Sequence, residues 1–237
     1  MAAIGEATLV IDIDPQGNAS TGLGLHRQDR GLTTYEVLTG EAKLAEAIVP
    51  TRIPGLSLLP ATVDLSGAEL ELADMPRRNF ILKDALDEYS AYGRNAFSYI
   101  LIDCPPSLTL LTLNAMAAAD AVLVPLQCEF FALEGLSQLM KTIELVRDKL
   151  NPTLEMQGVV LTMFDKRNKL SDQVADDVRA TLGEKVYATV IPRNVRISEA
   201  PSHGVPALVY DLKCSGSQAY IKLAGELIQR ERHRAAA

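Results

Sequence analysis

The sequence predicts an α/β fold, a mostly parallel sheet flanked by helices, on three observations. Short aliphatic runs alternate with helix-length stretches along nearly the whole chain, the pattern of βαβ units. Hydrophobic residues make up 48% of the chain but aromatics only 5%, with no Trp, so the core is aliphatic, as suits a sheet covered on both faces. Two of the aliphatic runs end in Asp and are stopped at once by Pro.

The elements follow in order. Met1–Gly5 reads as the last turn of a helix closed by Gly. Thr8-Leu9-Val10-Ile11-Asp12-Ile13-Asp14 reads as a strand, halted by Pro15 and Gly17. Asp12 and Asp14 are two apart, so they share a side of that strand. They sit at its carboxyl end, where open parallel sheets bind ligands. Carboxylates there need cations, water or donors. The plainer alternative stays open: one caps the next helix and the other is solvated. Residues 17–31 read as a Gly-rich polar loop. Thr33–Leu38 has a capping start and a closing Gly40, so it reads as a short helix, and Lys43–Val49 as a second.

Leu56–Leu59 is a strand ended by Pro60, and residues 65–73 and 80–92 show helical spacing. Tyr99-Ile100-Leu101-Ile102-Asp103 repeats the opening theme before Cys104-Pro105-Pro106. There follow a helix at 108–118, a strand at 121–125 and a long helix at 132–150. Next come a strand at 157–163, a helix at 170–182, a strand at 186–191 and a last helix near 217–232. No linker or repeat divides the chain, so residues 1–237 read as a single domain.

Composition excludes several classes. Cys104, Cys128 and Cys214 are scattered and odd in number, against a disulfide framework and for a reducing cytosol. Every apolar stretch is broken well before a membrane span, and no secretory signal is present. The net charge of −7 argues against wholesale nucleic-acid binding. Of the 23 Lys and Arg, however, seven lie in residues 193–237 beside only four of the 30 acids. That basic segment meets phosphate locally or is simply a solvated face.

Three longer stretches sharpen the reading: Asp12-Ile13-Asp14-Pro15-Gln16-Gly17-Asn18-Ala19-Ser20, Ile102-Asp103-Cys104-Pro105-Pro106-Ser107, and Ile191-Pro192-Arg193-Asn194-Val195-Arg196-Ile197-Ser198-Glu199-Ala200-Pro201-Ser202. With Pro125-Leu126-Gln127-Cys128-Glu129-Phe130-Phe131-Ala132-Leu133-Glu134-Gly135 and Val160-Leu161-Thr162-Met163-Phe164-Asp165, they resemble the ParA/Soj partition ATPases, deviant P-loop proteins that segregate bacterial chromosomes and plasmids. The resemblance covers nearly the whole chain, and matches this long in one order are specific.

One departure is large. The family carries a loop of the form K-G-G-V-G-K-T-T between its first strand and first helix, and this chain contains no Gly-Lys dipeptide. The loop's phosphate-cradling amides, its lysines and its Mg²⁺-binding hydroxyl go with it. The expected fold is thus a deviant P-loop NTPase fold with first strand, P-loop and first helix missing. Met1 is expected to fall inside the first helix of a longer protein. The alternative is a true variant without the loop. The missing strand is central in the family, so two edges are expected to lack partners, leaving the isolated chain poorly soluble or rearranged.

The resemblance implies roles. Asp14 matches the residue that positions the attacking water, and Asp12 and Asp103 match the carboxylates beside Mg²⁺. Phe164, Pro192 and Asn194 fall where the family holds the adenine ring, or are ordinary loop and cap residues. Arg167 and Arg196 match positions that hold DNA, or are surface charge. The implied cofactors are ATP and Mg²⁺. The implied function is an ATP-dependent homodimer that binds DNA non-specifically and is stimulated by a ParB-like partner, in the bacterial cytoplasm on the nucleoid. A P-loop-less, catalytically inactive DNA- or partner-binding module is the alternative. A MinD-type membrane ATPase fits less well, because the tail Gln229–Ala237 has no bulky apolar anchor.

Overall fold

The computed structural model describes residues 1–93 and 97–235. They form two compact units, residues 1–119 with 201–206, and residues 120–200 with 207–237.

The first unit contains β1 (Thr8–Asp12), α1 (Asn18–Gly22), α2 (Thr34–Thr39), α3 (Leu44–Ala47), β2 (Val49–Pro50), β3 (Leu56–Leu59), α4 (Leu65–Leu72), α5 (Ile81–Ala91), β4 (Tyr99–Asp103) and α6 (Leu110–Ala118). Its strands lie in the order β2-β3-β1-β4. β1 runs parallel to both neighbours, with Thr8 opposite Leu56 and Tyr99, and Asp12 opposite Asp103. The short β2 pairs antiparallel with β3. Leu9 and Ile11 are fully buried and share a core with Leu38, Leu65, Leu72, Leu82 and Leu111 from the helices. Each such side chain contributes roughly 2 kcal/mol by leaving water.

The second unit contains β5 (Ala121–Gln127), α7 (Ala132–Lys149), β6 (Glu155–Thr162), α8 (Lys169–Leu182), α9 (Val195–Glu199), α10 (Ala207–Tyr210) and α11 (Ser215–Ala235). β5 and β6 are parallel. Val160, Tyr187, Ile191, Ala219 and Leu223 form a buried cluster that fixes α11 over β6.

Local chemistry explains most boundaries. α2 starts with a capping box: Thr33 Oγ1 accepts from the Tyr35 amide, and Glu36 Oε2 accepts from the Thr33 amide at 2.7 Å. Gly40 closes that helix at φ 82°. Three expectations need correction. The polar stretch 17–31 contains α1. The second short helix is one turn, Leu44–Ala47, because Val49 and Pro50 pair with β3 instead. Residues 186–191 are no strand. Tyr187 and Ile191 do donate to Val159 and Leu161 carbonyls, at 2.9 and 2.8 Å. Between them, though, the Ala188 and Thr189 amides donate to the Glu226 carboxylate on α11, and Pro192 has no N–H. The ladder is diverted to a side chain, so only isolated bridges remain. Gly158 allows this close approach, since a Cβ there would overlap Lys185 O and the Tyr187 ring.

Among the described residues, β4 is an outer strand of the first unit's sheet and β5 of the second's, each with one strand neighbour in its sheet. Ile100 and Leu101 on β4 are 40% and 46% exposed, against 0% for Leu9 and Ile11 on the enclosed β1. Leu123 on β5 is 37% exposed. Exposed aliphatic edges of this kind template association.

Candidate functional site

In the first unit, β1 delivers Asp12 and β4 delivers Asp103 to the same end of the sheet, as register partners. The Ile13 amide still donates to Asp103 O at 3.0 Å, and the chain then leaves the strand. Asp14 therefore sits in the turn beyond β1 rather than on the strand. Its Oδ1 accepts from the Gln16 amide at 2.9 Å, and its carbonyl accepts from the Gly17 amide at 2.9 Å. This turn holds the Asp14 carboxylate partly open to solvent.

Asp12 is fully buried and its oxygens are engaged by protein donors. Oδ2 accepts from the Ser20 amide at 2.8 Å and the Ser20 hydroxyl at 2.6 Å, and Oδ1 accepts from the Asp14 amide at 3.2 Å. Ser20 lies in the first turn of α1, so Asp12 caps that helix from across the turn. For Asp12 the plainer sequence alternative is thus present in the structure. Thr34 Oγ1 secures the same strand end by donating to Asp12 O at 2.6 Å. Ser20 Oγ in turn accepts from the Ala61 amide at 3.0 Å.

The electrostatics match this crowding. Burial raises Asp12, opposed by the Ser20 donors and by the charge of Arg30. Asp103 rises to about 6, through burial first and then the Asp12 and Asp14 charges. Cys104 is pushed up to about 12 by burial first and then by the Asp103 and Asp14 charges, so it is an inert thiol. A dication beside Asp14 and Asp103 would relieve this repulsion, and hard oxygen donors suit Mg²⁺. Among the described residues no group of three or more His, Cys, Asp or Glu is disposed to hold a metal by itself. The donor set therefore fits a cation shared with water and a ligand. The phosphate side does not fit, because the chain has no lysine loop.

Added positive charge lowers a carboxyl pKa, which gives a direct test. A carbon-13 NMR titration is expected to place the Asp103 midpoint near 6, and either Asp14→Asn or Mg²⁺ is expected to move it down. An unmoved midpoint in both cases would show that the acids do not share a field.

In the second unit the structure sets Phe164 beside Pro192, with Asn194 two residues further along the same segment. Phe164 and Pro192 form a parallel bridge, with the Phe164 amide donating to Ile191 O and the Arg193 amide to Phe164 O. Met163 turns the chain at φ 52°, a conformation a side chain rarely adopts. Asn194 caps α9 through the Arg196 amide at 2.9 Å, and its Nδ2 donates to Ser215 Oγ. Arg167 and Arg196 are exposed but have carboxylate partners. Arg167 makes a two-pronged pair with Asp165, which holds that carboxyl down at about 2. Arg196 pairs with Glu199 at 3.0 Å and lies 3.7 Å from Asp211.

Three site residues escaped sequence reasoning: Ser20, Thr34 and Arg30. Ser20 had a signal, a hydroxyl one turn into a helix after Gly17. Arg30, in a stretch without periodicity, had none.

A parallel aliphatic sheet that gathers carboxylates at its strand ends defines the class, an α/β protein with a P-loop NTPase-like fold. A family profile described as an AAA domain matches residues 1–156. The chain is 64% identical to the chromosome partitioning protein ParA of Caulobacter vibrioides over 236 residues, 100% of this chain and 88% of that one. It is 48% identical to the sporulation initiation inhibitor protein Soj of Bacillus subtilis, over 96% and 88%. A crystal structure of cobyrinic acid a,c-diamide synthase from Mycobacterium smegmatis, with bound ADP and magnesium, superposes with a TM-score of 0.82. That pair is 36% identical, covering 98% of this chain and 86% of the other. The chain belongs to the ParA/Soj family of chromosome-partitioning ATPases.

Proposed function

We propose that this protein works as an ATP-driven partition switch, one functional domain over residues 1–237. Asp14 positions the attacking water, while Asp103 and Asp12 serve the Mg²⁺ side. The observation that carries the proposal is the convergence of Asp12, Asp14 and Asp103 at neighbouring strand ends, with Asp103 raised to about 6 by burial first and then by the two neighbouring acids. Asp12 would act at a remove, as the buried anchor of the turn that presents Asp14. Phe164, Pro192 and Asn194 would hold the adenine ring. When bound, Mg²⁺ would neutralise phosphate charge.

DNA binding would use Arg167 and Arg196. Each already has a carboxylate partner, so a phosphate must compete for it. That competition makes a single chain a weak binder, and a homodimer doubles the contacts. A ParB-like partner would then end the DNA-bound state by stimulating hydrolysis, in the cytoplasm on the nucleoid. Among the described residues no helix is long and apolar enough to cross a membrane.

Four arginines per dimer imply a log–log salt slope of about −3.6, so raising salt fourfold is expected to weaken binding to random-sequence DNA about 150-fold. Replacing both arginines by Ala is expected to flatten the slope. Filter binding across salt concentrations measures it, and a flat wild-type curve would contradict the phosphate-contact reading. A second reading, a non-catalytic DNA- or partner-binding module, is favoured by the lack of a Gly-Lys loop.

A further inference from the structure

One half-buried cation lies near the acidic strand ends. Arg30 lies eighteen residues beyond Asp12, in the segment leading to α2. Its guanidinium is turned inward and spends its donors on main-chain carbonyls and one hydroxyl rather than on a carboxylate. Nη1 donates to Ala61 O at 2.6 Å. Nη2 lies within reach of Thr21 Oγ1 at 2.8 Å, Leu25 O at 3.0 Å and Gly17 O at 3.2 Å, and Nε donates to Leu25 O at 3.2 Å.

These acceptors come from three places: the turn after β1, the end of α1, and the segment after β3. Gly17 is the hinge of the first. Its carbonyl accepts from Arg30 while its amide donates back to Asp14 O at 2.9 Å. A Cβ on Gly17 would overlap Arg30 Nη1, and Gly17 sits at φ 63°, so the glycine and the arginine are fitted to one another. Ala61 closes the circuit, since its amide donates to Ser20 Oγ, which donates to Asp12. The fork thus grips the turn of Asp14 on one side and the anchor of Asp12 on the other.

We propose that Arg30 is a positioning residue for Asp14: its planar fork clamps the Gly17 and Ala61 carbonyls and so sets the turn that carries the Asp14 carboxylate. This rests on the hydrolytic reading of Asp14. The function lies in the fork and not only in the charge, because a lysine ammonium cannot span four acceptors on three segments. Arg30→Lys keeps the charge and loses the fork, which makes it the informative variant.

Native-state amide exchange on the 237-residue chain tests the clamp. In Arg30→Lys the Gln16 and Gly17 amides are expected to exchange at least tenfold faster, while Leu9 and Ile11 on β1 stay within twofold. An equal rise at all four amides would overturn the proposal, since it would mean general loosening, and so would no change at any. Hydrolysis supplies the second arm, in a form carrying the family's lysine loop. Arg30→Lys is expected to lower kcat at least tenfold with KM within twofold. A kcat like that of the wild type would overturn the positioning role. A wild type that does not hydrolyse ATP would instead refute the hydrolytic reading, and the exchange arm would still decide whether Arg30 holds the turn.

Discussion

Replacing Asp12 with alanine is expected to destabilise the first unit by about 3–5 kcal/mol, a large share of a domain's stability. Asp12 is fully buried, and three donors converge on it, from Ser20 N, Ser20 Oγ and Asp14 N. Its removal leaves those donors without an acceptor and takes the cap from α1. Burial of the carboxylate works in the other direction, as the raised pKa shows. For the carboxylate itself burial is the larger effect; the cost of alanine lies in the donors it leaves buried without an acceptor, about 1–3 kcal/mol each. Asp12→Asn separates the terms. It removes the charge, but both oxygens accept, so the amide must point its NH₂ at a donor. Asn is therefore expected to be destabilising too, by about 2–3 kcal/mol. Urea denaturation measures both, and an Asn variant more stable than the wild type would show that relief of the buried charge dominates.

Asp14→Ala is expected to behave in the opposite manner: little change in stability and a loss of hydrolysis. Asp14 is partly exposed and makes one side-chain hydrogen bond, to the Gln16 amide. Removing it is expected to cost about 1 kcal/mol. A group that orients the attacking nucleophile contributes far more to rate, so hydrolysis is expected to fall at least 100-fold, about 2.7 kcal/mol in barrier. Nucleotide binding is expected to persist, because the loss lies in the chemical step. Steady-state turnover alongside a binding isotherm, both in a form carrying the family's lysine loop, separates the two. A turnover within a few-fold of the wild type would remove Asp14 from the reaction.

The contrast between these neighbours shows what the sequence made legible. The aliphatic runs at β1 and β4 and their terminal acids could be read directly, since a short β-branched run stopped by Asp and Pro leaves few alternatives, although only β1 is enclosed on both sides. The same run could not say that β1 ends at Asp12, which turns one acid inward and leaves the other in the turn. That division depends on Ser20 and Ala61, which the fold brings together across forty-one residues. The expected strand at 186–191 failed for a similar reason. Its β-type composition was real, but Glu226 on α11 captured two amides that a neighbouring strand would need. Arg30 was illegible because three of its four acceptors are main-chain carbonyls, and carbonyls carry no sequence identity. By contrast, the cap at Thr33 and Glu36 was legible, because both partners lie within one turn.

The exposed edges of β4 and β5 and the lack of a Gly-Lys dipeptide bear on the same point. The carboxylates are built and oriented within these 237 residues, whereas a phosphate-cradling loop is not among them. ATP binding is therefore the decisive measurement, made by calorimetry on the 237-residue chain and on the same chain with the family's strand, K-G-G-V-G-K-T-T loop and helix joined ahead of Ala2. The 237-residue chain is expected to bind Mg²⁺·ATP no more tightly than about 1 mM, and the joined form at micromolar levels, about 4 kcal/mol better. A joined form that still fails to bind would contradict the account of the acidic strand ends as half of an ATPase site.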